Sequence, residues 1–141
     1  MAARKSTASA KWTGTLKDGS GTMAFTGFNG PFTFASRFAE GKETNPEELI
    51  GAAHAGCYSM FLSALISGEN LTPELISTTA TVHLDKDDTG PVISVIELNC
   101  EVKCAGLSLE KFNALTAVAK EKCPVSRVLA AAEIKLNARL L

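Results

Sequence analysis

The chain has 141 residues, the length of one domain spanning residues 1–141, and can bury a core without disulfide staples. Its 14 basic and 15 acidic residues nearly cancel and no basic run stands out, which argues against nucleic acid and anionic membrane as partners. Met1 to Ser6 is positively charged but has no apolar core behind it, so it does not read as a secretory leader, and four cysteines without an export signal point to a reducing cytoplasm.

The N-terminal third reads as a β-meander. Ala10 to Leu16 alternates in part, and Lys17-Asp18-Gly19 follows as a turn. Thr22 to Thr26 is a second strand, Asn29-Gly30-Pro31 a second turn, and Phe32 to Phe38 a third strand. A helix from Pro46 to about Ser67 has clear start signals. Asn45 suits the N-cap, Pro46 the first helical position, and Glu48 the reciprocal place in a capping box. Glu47 and Glu48 complement the helix dipole, and Gly68 suits the end.

This helix is apolar nearly all round, through Leu49, Ile50, Ala53, Met60, Phe61 and Leu65. Such a helix is covered on all sides, and one sheet of a small domain covers one face. A partner subunit is the simplest source of the remaining cover. Leu49 to Ile66 also raises the question of a transmembrane span. His54, Ser59 and Ser63 within it, and the lack of basic anchors at its ends, argue against one.

Ile76 to Asp85 alternates as a strand, Asp87 to Pro91 is a turn, and Val92 to Cys104 is a second long strand, so the pair reads as a hairpin. Ser108 caps another helix, whose Phe112, Leu115, Val118 and Ala119 keep helical spacing to about Lys122. Val125 to Ala130 is a short helical turn, and Ile134 to Leu140 alternates as a closing strand.

Two of the four cysteines are placed for chemistry. Cys57 lies in mid-helix, where a cysteine is commonly a small core residue. A nucleophile there needs a nearby cation, because the helix dipole gives no help at that position. Cys123 precedes Pro124, so it stands at or near the N-cap of a helical turn, a position that stabilises a thiolate. Cys100 and Cys104 share one strand face. A zinc site using all four thiols lacks the closely spaced ligand pairs such sites use. His54 and His83 read as single, hydrogen-bonded structural residues. The glycines form no phosphate loop. By themselves these patterns reach an α+β domain with two placed thiols. A thiol redox enzyme, a non-catalytic small-ligand-binding protein and a structural protein all remain open.

Thr44-Asn45-Pro46-Glu47-Glu48-Leu49, running on to His54-Ala55-Gly56-Cys57, together with Cys123-Pro124-Val125-Ser126, closely resembles the OsmC/Ohr family of thiol-dependent peroxidases. Ser36-Arg37-Phe38 and Leu84-Asp85-Lys86 resemble its OsmC branch, and the likeness runs from Trp12 to the C-terminus. Gly56 stands where alanine is commoner, and Cys100 and Cys104 lie outside the family's pattern. The resemblance implies an intertwined α+β homodimer with antiparallel sheets around central helices. It implies reduction of an organic or lipid hydroperoxide, with Cys57 attacking and forming a sulfenic acid and Cys123 closing a disulfide with it. It implies Arg37 activating Cys57, Glu47 orienting Arg37 through a bidentate pair, no bound cofactor, and an external dithiol, of the lipoyl type among others, as reductant. Glu47 and Cys57 are ten residues apart, about 15 Å along a continuous helix. Glu47 is therefore expected to serve the Cys57 of a neighbouring subunit.

Overall fold

In the computed structural model, which describes residues 2–141, the chain opens with a three-stranded antiparallel meander: β1 (Ser9–Thr13), β2 (Ser20–Phe25) and β3 (Phe28–Phe32), in that order across the sheet. Trp12 and Phe32 meet over the middle strand with ring centroids 5.2 Å apart. Gly21 lies between them, where a Cβ would come within 2.6 Å of both rings. Only a residue without a side chain lets the rings close at that point.

The second turn falls earlier than expected. It is made at Thr26-Gly27, with Gly27 at φ 78°, and Asn29-Gly30-Pro31 lies inside β3. Pro31 is tolerated there because β3 is an edge strand of its sheet. The expected strand over Phe32 to Phe38 is also corrected. After Phe32 the chain turns into a short helix, α1 (Phe34–Phe38). Thr33 caps it reciprocally: its Oγ1 accepts the Ser36 N–H at 3.1 Å, and the Ser36 Oγ accepts the Thr33 N–H at 2.9 Å. Phe34 and Phe38 are four apart, so on a helix their rings meet, with centroids 5.1 Å apart.

Helix α2 (Pro46–Ser67) runs without a break at Gly51 or Gly56. Asn45 Oδ1 accepts the Glu48 N–H at 2.8 Å, as expected of the N-cap. The capping box is only half made. The Glu48 carboxylate takes the Thr44 hydroxyl at 2.9 Å instead of returning to Asn45.

The described chain divides into two compact units, one ending at Leu49 and one covering Ile50–Leu141. The second unit holds most of α2 and a second sheet. There β4 (Leu75–Asp87) and β5 (Gly90–Lys103) form the expected hairpin, paired from Leu75↔Lys103 to Asp87↔Gly90. Asp87 Oδ1 accepts the N–H groups of Thr89 and Gly90 across the turn, at 2.8 and 3.2 Å. The expectation of antiparallel sheets fails at the closing strand: β6 (Glu133–Leu140) pairs parallel with β5, from Val95↔Glu133 to Val102↔Leu140. The reason is the connection. Helices α3 (Leu109–Lys122) and α4 (Pro124–Val128) carry the chain back to the start of β5, and a crossover of that length returns a strand parallel.

The core of the second unit is α2 and α3 packed with this sheet: Tyr58, Leu62 and Ile66 with Ile96, Leu98, Val102 and Phe112. Gly51 brings α2 close to β4, since a Cβ there would lie 3.3 Å from Val82 Cγ2. The buried stripe of α2 is Gly51, His54, Tyr58, Leu62 and Ile66, at intervals of three and four. The expectation of cover on all sides is not met within the chain. Ala52, Ala53, Gly56, Met60 and Ala64 form an exposed face, with Met60 79% exposed. By length and composition alone α2 is apolar enough to cross a membrane. Its buried stripe instead carries core contacts of the second unit.

Candidate active site

The first unit builds a charged pair. Arg37 sits on α1 and Glu47 in the first turn of α2. Asn45 ties the two elements together, its Nδ2 donating to the Ser36 carbonyl at 2.9 Å. Arg37 Nε and Nη2 donate to Glu47 at 3.1 and 2.8 Å, and both reach the same oxygen, Oε1. The expected bidentate pair is thus a two-donor clamp on one oxygen. Glu47 is 7% exposed and Arg37 is more open, so the guanidinium is held by a buried carboxylate while one edge stays available. The Arg37 guanidinium also lies 5.3 Å from the Phe38 ring centroid. Beside it is a pocket of about 260 Å³ walled by Trp12, Leu16, Phe32, Phe34 and Phe38.

The second unit builds the thiol site. Cys123 stands at the junction of two helices. Its N–H closes α3 on the Ala119 carbonyl at 3.1 Å, and its Sγ caps α4 by accepting the Ser126 N–H at 3.3 Å. Pro124 takes the first position of α4, as the Cys-Pro order predicts. Cys123 is fully buried, whereas Cys57 on α2 is half-buried, and both are free thiols. Cys57 lies against Cys123 and the Val125 backbone. Burial pushes the Cys57 thiol above its ordinary range, the Val125 backbone opposes this, and the neighbouring Cys123 adds to it. The largest influences on the thiol are burial, the Val125 backbone and Cys123, and none of them is a cation.

Cys100 and Cys104 play a different part. Burial raises the Cys100 thiol, which lies beside Thr78 and Tyr58. The Cys104 Sγ donates to the Thr72 carbonyl at 3.5 Å. Among the described residues, no group of three or more His, Cys, Asp or Glu side chains is assembled to hold a metal. His83 is hydrogen-bonded as expected, its Nε2 lying 2.8 Å from Glu97 Oε2.

One pairing has no trace in the sequence reading. His54 Nε2 and Ser126 Oγ share a buried hydrogen bond of 2.7 Å across 72 residues of chain. Burial holds the His54 imidazole below its ordinary pKa. The only local hint is that His54 falls on the apolar stripe that continues through Tyr58 and Leu62.

The family model described as OsmC-like protein matches residues 39–139. The protein named Peroxiredoxin OsmC of Escherichia coli is 46% identical over 134 residues, covering 93% of each chain. An organic hydroperoxide resistance protein-like chain of Staphylococcus aureus is 31% identical over 91 residues, covering 63% of this chain and 64% of its own. The crystal structure of an OsmC-like protein from Mycoplasma pneumoniae superposes with a TM-score of 0.76 over 98% of both chains, at 17% identity, a likeness of fold.

Proposed function

From the membership of this chain in the OsmC-like family, we propose that it is a thiol-dependent peroxidase that reduces organic hydroperoxides to alcohols, in defence against oxidative or osmotic stress. The observation that carries the reading is the meeting of a half-buried Cys57 with a fully buried Cys123, both free. A peroxide reaches the first thiol more readily than the second. The Cys57 thiolate attacks the distal peroxide oxygen. The O–O bond breaks, the alcohol leaves with a proton, and Cys57 becomes a sulfenic acid. Cys123 then attacks that sulfur, forming a disulfide and releasing water. An external dithiol, such as a lipoyl-type donor, restores both thiols. Four free thiols fit a reducing, cytoplasmic setting.

Arg37 and Glu47 complete the site. Burial disfavours the Cys57 thiolate, so a cation is needed, and every unit by which it lowers the pKa is worth about 1.4 kcal/mol. Arg37, clamped by Glu47, is that cation. It acts on the Cys57 of a second copy of the chain, because a continuous α2 holds Glu47 about 15 Å along the axis from its own Cys57. The exposed small and apolar face of α2 fits such a homodimer. The aromatic wall beside Arg37 favours an alkyl or aryl substituent over hydrogen peroxide. The test is steady-state reduction of cumene hydroperoxide and hydrogen peroxide with dithiothreitol and dihydrolipoamide as donors. Dithiol-dependent turnover favouring the organic peroxide is expected. Binding of apolar peroxides without their consumption would overturn the reading.

A further inference from the structure

Cys123, Ser126 and His54 form an unbroken buried line. Cys123 Sγ donates to Ser126 Oγ at 3.1 Å, and Ser126 Oγ lies 2.7 Å from His54 Nε2. All three residues are at most 3% exposed. With the thiol proton given to Ser126, the serine's own proton is left for Nε2. The line therefore runs in one sense, from thiol to hydroxyl to imidazole. His54 Nδ1 is buried with no hydrogen-bond partner among the described residues. A stripe that carries Tyr58, Leu62 and Ile66 has no packing use for a half-satisfied imidazole; an apolar side chain would fill the place without leaving a polar atom unpaired.

We infer that His54 is a positioning residue for the resolving thiol, acting through Ser126 to orient Cys123 and to accept its proton as Cys123 attacks Cys57. The inference rests on the peroxidase reading for its place in the cycle. When Cys123 gives up its proton, that proton moves to Ser126 as the serine proton moves to His54 Nε2. The Ser126 hydroxyl and its N–H, 3.3 Å from the sulfur, then both face the thiolate. The thiolate sulfur bonds to the Cys57 sulfenic sulfur and the S–O bond breaks. Cys123 is oxidised, Cys57 is reduced from the sulfenic level, and the departing hydroxide takes one proton to leave as water. The relay concerns the second step alone. It predicts no part for His54 in the attack on peroxide.

The test separates the relay from the peroxidase reading. Cys57 of the reduced full-length chain is converted to its methyl mixed disulfide with methyl methanethiosulfonate, and release of methanethiol is followed as Cys123 displaces it. No peroxide is involved. His54→Gln keeps an amide that accepts the Ser126 hydroxyl but cannot take up a proton, and Ser126→Ala cuts the line while leaving the Cys123 cap on the backbone of residue 126. Each is expected to slow release by about a hundredfold, the low side of a general base's usual share. The double variant should be no slower than the slower single one, since both remove one pathway. Circular dichroism confirms that the variants compared are folded. Wild-type release rates in His54→Gln, or slowing that multiplies in the double variant, would overturn the relay. If the unmodified wild-type chain consumes no cumene hydroperoxide, the peroxidase reading falls by itself, because the methanethiol rate still reports the relay.

Discussion

Cys57 and Cys123 lie against each other with unequal access to solvent, the first half-buried and the second sealed at the junction of α3 and α4. In the proposed cycle that inequality orders the chemistry: the accessible thiol meets the oxidant, and the sealed one meets only its oxidised neighbour.

Arg37→Met should raise the pKa of Cys57. Burial already pushes the thiol up, and the proposed guanidinium is what brings the thiolate back within reach. The measurement is titration of thiolate absorbance in a variant whose only cysteine is Cys57, with and without Arg37. An unchanged midpoint would separate Arg37 from the thiol.

Glu47 and Cys57 should complement each other between chains. A heterodimer of Glu47→Gln and Cys57→Ser chains, acting in trans, has one site with both lesions and one with neither. It should keep about half the wild-type activity, since the separation of about 15 Å along α2 keeps Glu47 from its own thiol. Assay of purified, non-exchanging heterodimer with cumene hydroperoxide decides. Activity as low as that of the two parent homodimers would show that the pair acts in cis.

Met60 marks the face of α2 that the chain itself leaves open. Met60→Lys should leave the far-ultraviolet spectrum unchanged and shift sedimentation towards the monomer, because a lysine in the proposed apolar dimer contact must be desolvated without a partner. Activity should fall with the dimer. A dimer of wild-type stability would remove this face from the interface.

His54 should make the chain sensitive to acid. Its pKa is lowered in the folded state, so the unfolded chain takes up the proton first as pH falls below the ordinary value of 6.5. The stability that depends on a neutral His54 is therefore present above 6.5 and declines below it, by up to about 1.4 kcal/mol per pH unit. Urea denaturation of wild type and His54→Gln across that range measures the difference. The variant should show the shallower decline, and parallel curves would contradict the assignment of a neutral, buried imidazole.

Much of this was legible along the chain where the signal is local. Asn45, Pro46 and Glu48 announced the start of α2, and the Cys123-Pro124 order announced the cap of α4, because caps are made by neighbours in sequence. The region from Phe28 to Phe38 misled because phenylalanine suits a strand or a helix. Thr33 and Ser36 decide between them only through a reciprocal cap. The direction of β6 was hidden because an alternating strand looks the same whether its neighbour runs parallel or antiparallel. Ser126 and His54 meet only after α2 and α4 have packed, so no spacing rule could pair them.

The account rests most directly on which sulfur the peroxide oxidises. Reduced Cys123→Ser chain, treated with one equivalent of cumene hydroperoxide and then dimedone, should consume the peroxide once and carry the dimedone adduct on Cys57 by peptide mass spectrometry. Cys57→Ser under the same treatment should consume none. Peroxide consumption by Cys57→Ser at the wild-type rate, or an adduct on Cys100 or Cys104 with Cys57 unmodified, would contradict it.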